Sequence, residues 1–554
     1  MITNTQPQNL RLYSSFVFIA ALLAVFFLSL NPIDESDVFY HLKTGELIWS
    51  TGELPDKDVF SSSAFGAPWV LHEWLAEIVF YGVYVALGFS GLILFTSSLA
   101  VFAYFLAWRI SRDHGAQTHL SLFAALLVGY FTFGLWVPRP HVFAYVFFVL
   151  LIFLLERYRR NGKTSYLWPI PVLLLFWANM HASFILGLAI ISGYVVLFFV
   201  DRIRPEWRVG GGGGGARRSL LVFLASFAVS FFNPATYHAH LYGITIRPVA
   251  QAMNVIEWKP ITAFLEHFDI RILLCEMTVI LFFALLVFGP KKRRDVFLIG
   301  MLSAFTVLPF LSVRHIGFWA LGAAFIFPLA VSQWFSKKEN EQTQNALRVI
   351  VVCGVVVFLA VGVVSAPRKV IDERKVPVRP ADFLEREGVK GPFFNTYSEG
   401  GYLLWRFWPK EHVFIDGRSE VFFGTPVREF YAISRGERDW NEIVDKKYGF
   451  NSFFVGYQPP SRFRSAYPMV LKLIQENWPF VYWDDSTLIF VRNIPEHASV
   501  ISEYAIQYIA PWRAPTSIPD EQVKPALVEV GRLLEASPDS VVLRRYANEL
   551  LRRK

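Results

Sequence analysis

Long apolar stretches broken by short polar connectors dominate the first two thirds of the chain. Runs long enough to cross a bilayer, roughly 17 to 25 residues, fall near 12–30, 86–108, 118–136, 141–157, 164–178, 182–203, 217–232, 271–289, 295–311, 315–334 and 347–365. About eleven transmembrane helices are therefore expected in a module spanning 1–366. The first run lacks a small-residue cleavage site before Asn31, so it reads as a retained helix and not as a cleaved signal. The pattern changes after Ala366. Apolar runs shorten, and 392–397, 412–416, 452–457, 480–483 and 487–491 read as buried strands. Segments 426–434, 440–447 and 465–477 between them have helical spacing, which predicts a soluble α/β domain over 367–495. Residues 496–554 read as an amphipathic helical tail, with Val523, Leu527, Val530 and Leu534 on one apolar side and Val542, Tyr546 and Leu550 on another.

Composition reinforces the membrane reading: 54% of residues are hydrophobic and only 18% charged, too apolar for a soluble chain of 554 residues. The net charge of +8 does not signal nucleic acid, because the cations sit in short clusters beside the apolar runs. With a cytoplasmic amino terminus, the connectors expected inside hold Arg109 and Arg112, then Arg157, Arg159, Arg160 and Lys163, then Arg202, Arg204, Arg208, Arg217 and Arg218, then Lys291 to Arg294, then Lys337 and Lys338. The opposite connectors are poor in cations, as the positive-inside rule requires, and everything after Ala366 falls outside. Gly210 to Gly215 is a flexible spacer, with no Lys-Ser/Thr for a phosphate loop. Cys275 and Cys353, both within apolar runs, offer neither a disulfide framework nor a metal motif. The lack of ER-type signals and the style of the loops point to a bacterial inner membrane.

The outer connectors carry the chemistry. The first, 31–75, contains Asp34, Asp37 and His41 near its start and His72-Glu73-Trp74 at its end. Asp34 and Asp37, three apart, would share one side of a helical turn, where one serves as general base or both hold a cation. Capping of the following helix is the plainer role for Asp34. Phe39, Tyr40, Leu42, Leu47, Ile48 and Trp49 suit a helix lying in the headgroup layer. Further outer connectors hold Arg139 and His141, Asn179 and His181, Asn233, His238 and His240, and Arg314 with His315. Singly each reads as an interfacial side chain; together on one side they predict a polar cavity suited to a lipid-linked phosphate. Glu276, one turn inside a predicted helix that begins at Arg271, is an intramembrane acid. Asp416-Gly417-Arg418 ends an expected strand, where α/β sheets often place ligands, and its plainer reading is a tight turn held by an Asp–Arg pair.

The motifs Asp37-Val38-Phe39-Tyr40-His41-Leu42, Gly52-Glu53-Leu54-Pro55, Asp58-Val59-Phe60-Ser61 and His72-Glu73-Trp74-Leu75 follow one another in the first connector. Arg139-Pro140, Asn179-Met180-His181, Asn233-Pro234, Glu257-Trp258, Arg314-His315 and Asp416-Gly417-Arg418 succeed them. In this order they resemble bacterial membrane proteins of the GT-C glycosyltransferase superfamily. The resemblance implies a multi-helix module that takes polyprenyl-phosphate-linked sugars as donors and uses Asp37 as base toward an extracytoplasmic glycan, lipid or protein acceptor. It implies inversion at the anomeric carbon, assistance from His72 and Glu73, and a leaving phosphate held by Arg139 or Arg314. His41, His141, Asn179, His181, His238, Glu257 and His315 complete the expected substrate-binding set. The connector reads Asp-Glu-Ser-Asp and not Asp-x-Asp, so no metal ligand is assigned and a divalent cation stays open as a cofactor. A flippase for envelope precursors and a non-catalytic assembly subunit are the alternative functions.

Overall fold

A computed structural model describes residues 8–203, 215–252, 255–264, 296–334, 341–457 and 468–553. The chain divides into two compact units, one made of Met1–Pro32 and Leu71–Val370, the other of Ile33–Val70 and Ile371–Lys554. This differs from the three-part expectation at two places. Most of the first connector packs with the C-terminal residues, and the tail after 496 is part of that same unit.

The first unit is helical. Ten of the eleven expected apolar runs fall on helices, from Gln8–Leu28 to Glu341–Ser365; the run 271–289, with Arg271 and Glu276, lies outside the described residues, as do most of the Gly210 spacer and the 291–294 and 337–338 clusters. Among the described residues, Trp74–Asp113, His141–Asn161 and Arg348–Ser365 are long and apolar enough to cross a membrane, and four further apolar helices are shorter. These helices do not fix the number of crossings at eleven. Val349, Ile350, Val356 and Val364 on the last long helix are exposed, with Val364 at 83%. An apolar face of that kind finds its solvent in lipid, and the chain is an integral membrane protein. Gly88 breaks the Trp74–Asp113 helix: its φ of 66° is one that a side chain would resist, and it divides the helix into two. The helix His141–Asn161 is the most buried of the three spans. Gly317 lies directly under its Tyr145 ring and Gly187 under the Trp177 indole, the small-residue contact that lets membrane helices approach closely. Polar side chains gather at the helix ends. At one end Arg157 pairs with Asp113 at 2.7 Å and His114 with Glu156 at 2.8 Å, joining two of the basic connectors.

The second unit is built on a four-stranded sheet of order β1-β2-β4-β3, with β1 Phe393–Asn395, β2 Ser452–Gly456, β3 Phe480–Trp483 and β4 Thr487–Val491. β1 and β2 are parallel, with Phe394 opposite Phe453, and the remaining pairs are antiparallel. Nearly every strand residue is buried, which explains their unbroken apolar character. The expected strand at 412–416 does not form. Its backbone bonds to the buried Asn395 side chain, which accepts from Phe414 N at 2.7 Å and donates to Ile415 O at 2.6 Å, and to the first connector, where Ser62 N donates to Val413 O at 2.8 Å. The helix Asp37–Thr51 is also not a headgroup-layer helix: Phe39, Tyr40, Leu42 and Ile48 are buried, and Phe39 meets Tyr402 edge-on at 4.8 Å on the helix Tyr397–Phe407. The tail helices Asp520–Ala536 and Val541–Leu551 are tied in by carboxylates. Glu529 accepts from the backbone N–H groups of Gln507, Tyr508 and Ile509, and Asp485 accepts from those of Val541 and Val542 at the start of the last helix.

The connector is locked to the sheet domain by Arg418. Its guanidinium is fully buried and forks onto Asp416 at 2.8 and 2.6 Å, while Nη1 reaches Asp58 at 2.7 Å. Phe60 and Trp69 close over it at 4.9 and 4.6 Å. Burial alone would lower the basicity of this group, yet Asp416 and Asp58 raise it well above the ordinary arginine value. Arg418→Ala leaves two buried carboxylates without their cation, an expected cost of about 3–5 kcal/mol. Thermal unfolding of the detergent-solubilised protein, followed by domain-specific proteolysis, checks this; wild-type resistance in the variant would show that the pair does not hold the connector.

Glu399 supplies a second expectation. Burial raises its carboxyl from the ordinary 4.5 to about 7, although the Ser398 and Thr396 hydroxyls donate to it. The folded protein therefore keeps this proton to a higher pH than the unfolded chain does. Its contribution to stability is complete below about 4.5 and is lost as pH rises toward about 7. The melting temperature of the unit should fall across that window, and Glu399→Gln should flatten the fall.

Candidate functional site

In the first unit the polar residues of separate connectors converge at helix ends. His72 and Glu73 precede the helix Trp74–Asp113, and Glu73 Oε1 lies 3.4 Å from His72 Nε2 and 3.7 Å from His181 Nε2. His181 follows the helix Pro169–Met180, and its Nδ1 accepts from Ser183 N at 3.1 Å. In the neutral ring this assigns the proton to Nε2, the nitrogen on the Glu73 side. The His72 ring packs at a tilt against Tyr242, the ring centres 3.9 Å apart.

A second group adjoins the first. Arg139 Nη1 lies 2.6 Å from Glu257 Oε1. Ser312 Oγ donates to the Glu257 carbonyl at 2.7 Å and Val313 N to the Lys259 carbonyl at 2.8 Å, which fixes the 3-10 turn of Glu257 against that of Arg314. The Arg314 guanidinium lies 4.8 Å over the Trp258 ring. The Arg139 charge, opposed by burial and reinforced by Arg314, holds the Glu257 carboxyl down to about 2, so it is ionised at every physiological pH. His141 Nε2 is 2.8 Å from the Leu135 carbonyl at the start of its helix. His181 lies within electrostatic reach of Glu73, Arg314, His141 and His72, so the two groups form one polar neighbourhood.

Two asparagines assemble this neighbourhood. Asn179 accepts from the Trp74 indole at 2.8 Å and donates to the carbonyls of Leu175 and Phe232 at 2.8 and 2.9 Å. Asn233 donates to the carbonyls of Ala178 and His72 and accepts from Ala235 N. Asn179, expected to bind substrate, therefore spends its amide on the scaffold. His238 is exposed and stacks on Tyr237 at 4.1 Å, with no polar contact to the neighbourhood among the described residues. His315 is half-buried beside Arg314.

The other expected residues belong to the second unit. Asp34 and Asp37 do not share a helical turn, because the helix begins at Asp37 and Asp34 precedes it outside any helix, paired with Lys375 at 2.6 Å. Asp34 is thus a surface tie. Asp37 lies half-buried, its carboxylate against the backbone of Gly417, and the Tyr40 ring touches the same glycine. The Tyr397 hydroxyl, 2.9 Å from both the Gly417 carbonyl and Ser419 Oγ, braces the turn further. The buried His41 ring packs on Tyr40 at 4.1 Å and faces the core of its unit. The Asp416-Gly417-Arg418 turn is held as its sequence predicted, with Asp58 as an added partner. Among the described residues no three His, Cys, Asp or Glu side chains gather to hold a metal ion. Tyr242 and Trp258 went unassigned; only the Glu257-Trp258 adjacency signalled the latter.

The fold is shared with solved structures of membrane-embedded transferases. ArnT from Cupriavidus metallidurans bound to undecaprenyl phosphate is similar with a TM-score of 0.53 and 11% identity, over 89% of this chain and 99% of that one. The oligosaccharyltransferase of Archaeoglobus fulgidus, in complex with Zn and sulfate, is similar with a TM-score of 0.50 and 12% identity, over 94% of this chain and 83% of its own. At these identities the likeness is one of fold. No family model and no curated protein matches the sequence.

If Asn179 is scaffold, Asn179→Ala should lower stability by about 1–3 kcal/mol, since the Trp74 N–H and the Phe232 carbonyl lose their partner. A melting curve of the purified protein measures it. Unchanged melting together with lost ligand binding would return Asn179 to the substrate set.

Proposed function

We propose that the protein is a membrane glycosyltransferase that moves a sugar from a polyprenyl-phosphate-linked donor to an extracytoplasmic acceptor, with inversion at the anomeric carbon. The observation that carries this reading is the pair of arginines, Arg139 and Arg314, set at helix ends about the single carboxylate of Glu257. Two guanidinium forks at the boundary of an apolar module suit a phosphate whose lipid tail stays in the bilayer. The fold supports it too, since the similar ArnT structure holds undecaprenyl phosphate.

In the reaction, Asp37 takes the proton of the acceptor hydroxyl and that oxygen attacks the anomeric carbon. The bond from this carbon to the phosphate oxygen breaks, and the polyprenyl phosphate leaves with its new negative charge stabilised by Arg139 and Arg314. Glu73 orients His72 and His181 through their Nε2 edges. Proposed location is a bacterial inner membrane with the amino terminus in the cytoplasm and the C-terminal domain outside.

Asp37→Asn keeps the side chain's size and removes the base. With a panel of polyprenyl-phosphate sugars and envelope extract, mass spectrometry should detect product from wild type and a loss of roughly 10²–10⁴ in the variant. Gly417→Ala, which drives a methyl group into the Asp37 carboxylate and the Tyr40 ring, should lose activity while Asp34→Asn retains it. Equal turnover by wild type and Asp37→Asn would remove Asp37 from the chemistry, and absence of turnover with every donor would favour transport or assembly.

A further inference from the structure

Glu257 stands in an unusual place for a residue that serves an anionic ligand. A carboxylate does not bind a phosphate; it competes with one for the same cation. Its Oε1 occupies Arg139 Nη1 at 2.6 Å, and it also lies in the field of Arg314. Its side chain is 38% exposed whereas that of Arg139 is only 13% exposed, so the carboxylate sits on the more open side of the pair. The backbone beneath it is fixed by Ser312 and by the Lys259–Val313 bond. The side chain can therefore turn away while its turn stays anchored. Trp258 next to it carries the second guanidinium on its ring face, which leaves the N–H edge of Arg314 for in-plane hydrogen bonds.

From this arrangement we infer that Glu257 is a placeholder for the phosphate group: it pairs with Arg139 when no lipid phosphate is bound and yields that position when one binds. The inference rests on the phosphate-binding role proposed for Arg139 and Arg314. Exchange of one anion for another keeps an anion beside a largely buried guanidinium throughout the cycle. It also weakens the hold on the leaving polyprenyl phosphate, because the returning carboxylate competes for Arg139 and repels the departing anion. Product release is thereby assisted without loss of the arginines' stabilisation of the leaving group.

The test is equilibrium binding to the full-length protein in detergent by native mass spectrometry, with undecaprenyl phosphate, uncharged undecaprenol and inorganic phosphate as probes. Glu257→Gln removes the charge at constant size and should tighten undecaprenyl phosphate binding on the order of three- to tenfold, with little change for undecaprenol. Glu257→Asp, shorter by one methylene, should fall between the two. Arg139→Ala should weaken binding, and adding Glu257→Gln to it should bring a smaller gain than in the wild-type background. Tightening for inorganic phosphate as well would support the same exchange at the phosphate alone. If wild type binds undecaprenyl phosphate and Glu257→Gln binds it equally or more weakly, the placeholder role is overturned while the phosphate site stands. If wild type binds no more undecaprenyl phosphate than undecaprenol, both fall.

Discussion

The buried contact of Arg418 with Asp58 and Asp416 is the constraint on which the second unit depends. Residues 33–70 have little core of their own, and their order comes from pairing with segments more than three hundred positions away. A buried ion pair is a poor source of net stability, because the loss of hydration offsets most of the attraction. What it supplies here is register. Asp58 also accepts from Phe60 N and Ser61 N, so its oxygens face inward only when the 58–61 turn is correctly closed. Asp416 likewise accepts from Arg418 N, and one guanidinium reads both turns together. A slip of one residue would bury at least one uncompensated charge. Gly417, in the middle of the locked turn, therefore meets Asp37 in a single arrangement.

A different constraint shapes the membrane unit. Charged and amide groups cannot face hydrocarbon, so they collect where helices end. The helix Trp74–Asp113 illustrates it, with His72 and Glu73 before its first turn and the Asp113–Arg157 and His114–Glu156 pairs after its last. Separate helix ends then need joining, and Asn179 and Asn233 do so by spending side-chain amides on carbonyls that the helices leave open. The histidines and Glu73 thus stand on a scaffold held together by these two amides.

Hydropathy made the helices legible because the lipid imposes one requirement on every span, and the four strands were legible because each is apolar throughout. Segment 412–416 is apolar for the same reason, yet it is no strand: a single asparagine side chain, Asn395, stands where a neighbouring backbone would, and no periodicity encodes that. The aromatic helix at 37–51 was visible as a helix with an apolar face, but a face does not name its partner, and Tyr402 lies far along the chain. The same limit applied to Asp34. Its spacing from Asp37 signified a shared face only if the helix began early enough to include both, and the helix starts at Asp37. The alternation of connectors puts Arg139, His141, His181 and Arg314 on one side, and Glu257 joined them only through the family resemblance. That Asn179 is saturated, and that Glu257 faces Arg139, depends on distances that spacing does not contain.

The two carboxylates given chemical roles in the membrane unit differ in what surrounds them, and the difference separates those roles. Glu73 lies beside two imidazoles, and burial holds that of His181 well below the ordinary histidine value, so it faces Glu73 as a neutral ring. Glu257 lies beside two guanidinia, which keep their charge throughout, and its carboxyl is held near 2. A carboxylate in that setting has little use as an acid or base under physiological conditions, because it never takes a proton. What it can exchange is its partner. The residue types surrounding each acid, more than the acids themselves, thus direct Glu73 toward orienting imidazole rings and Glu257 toward competition for a cation.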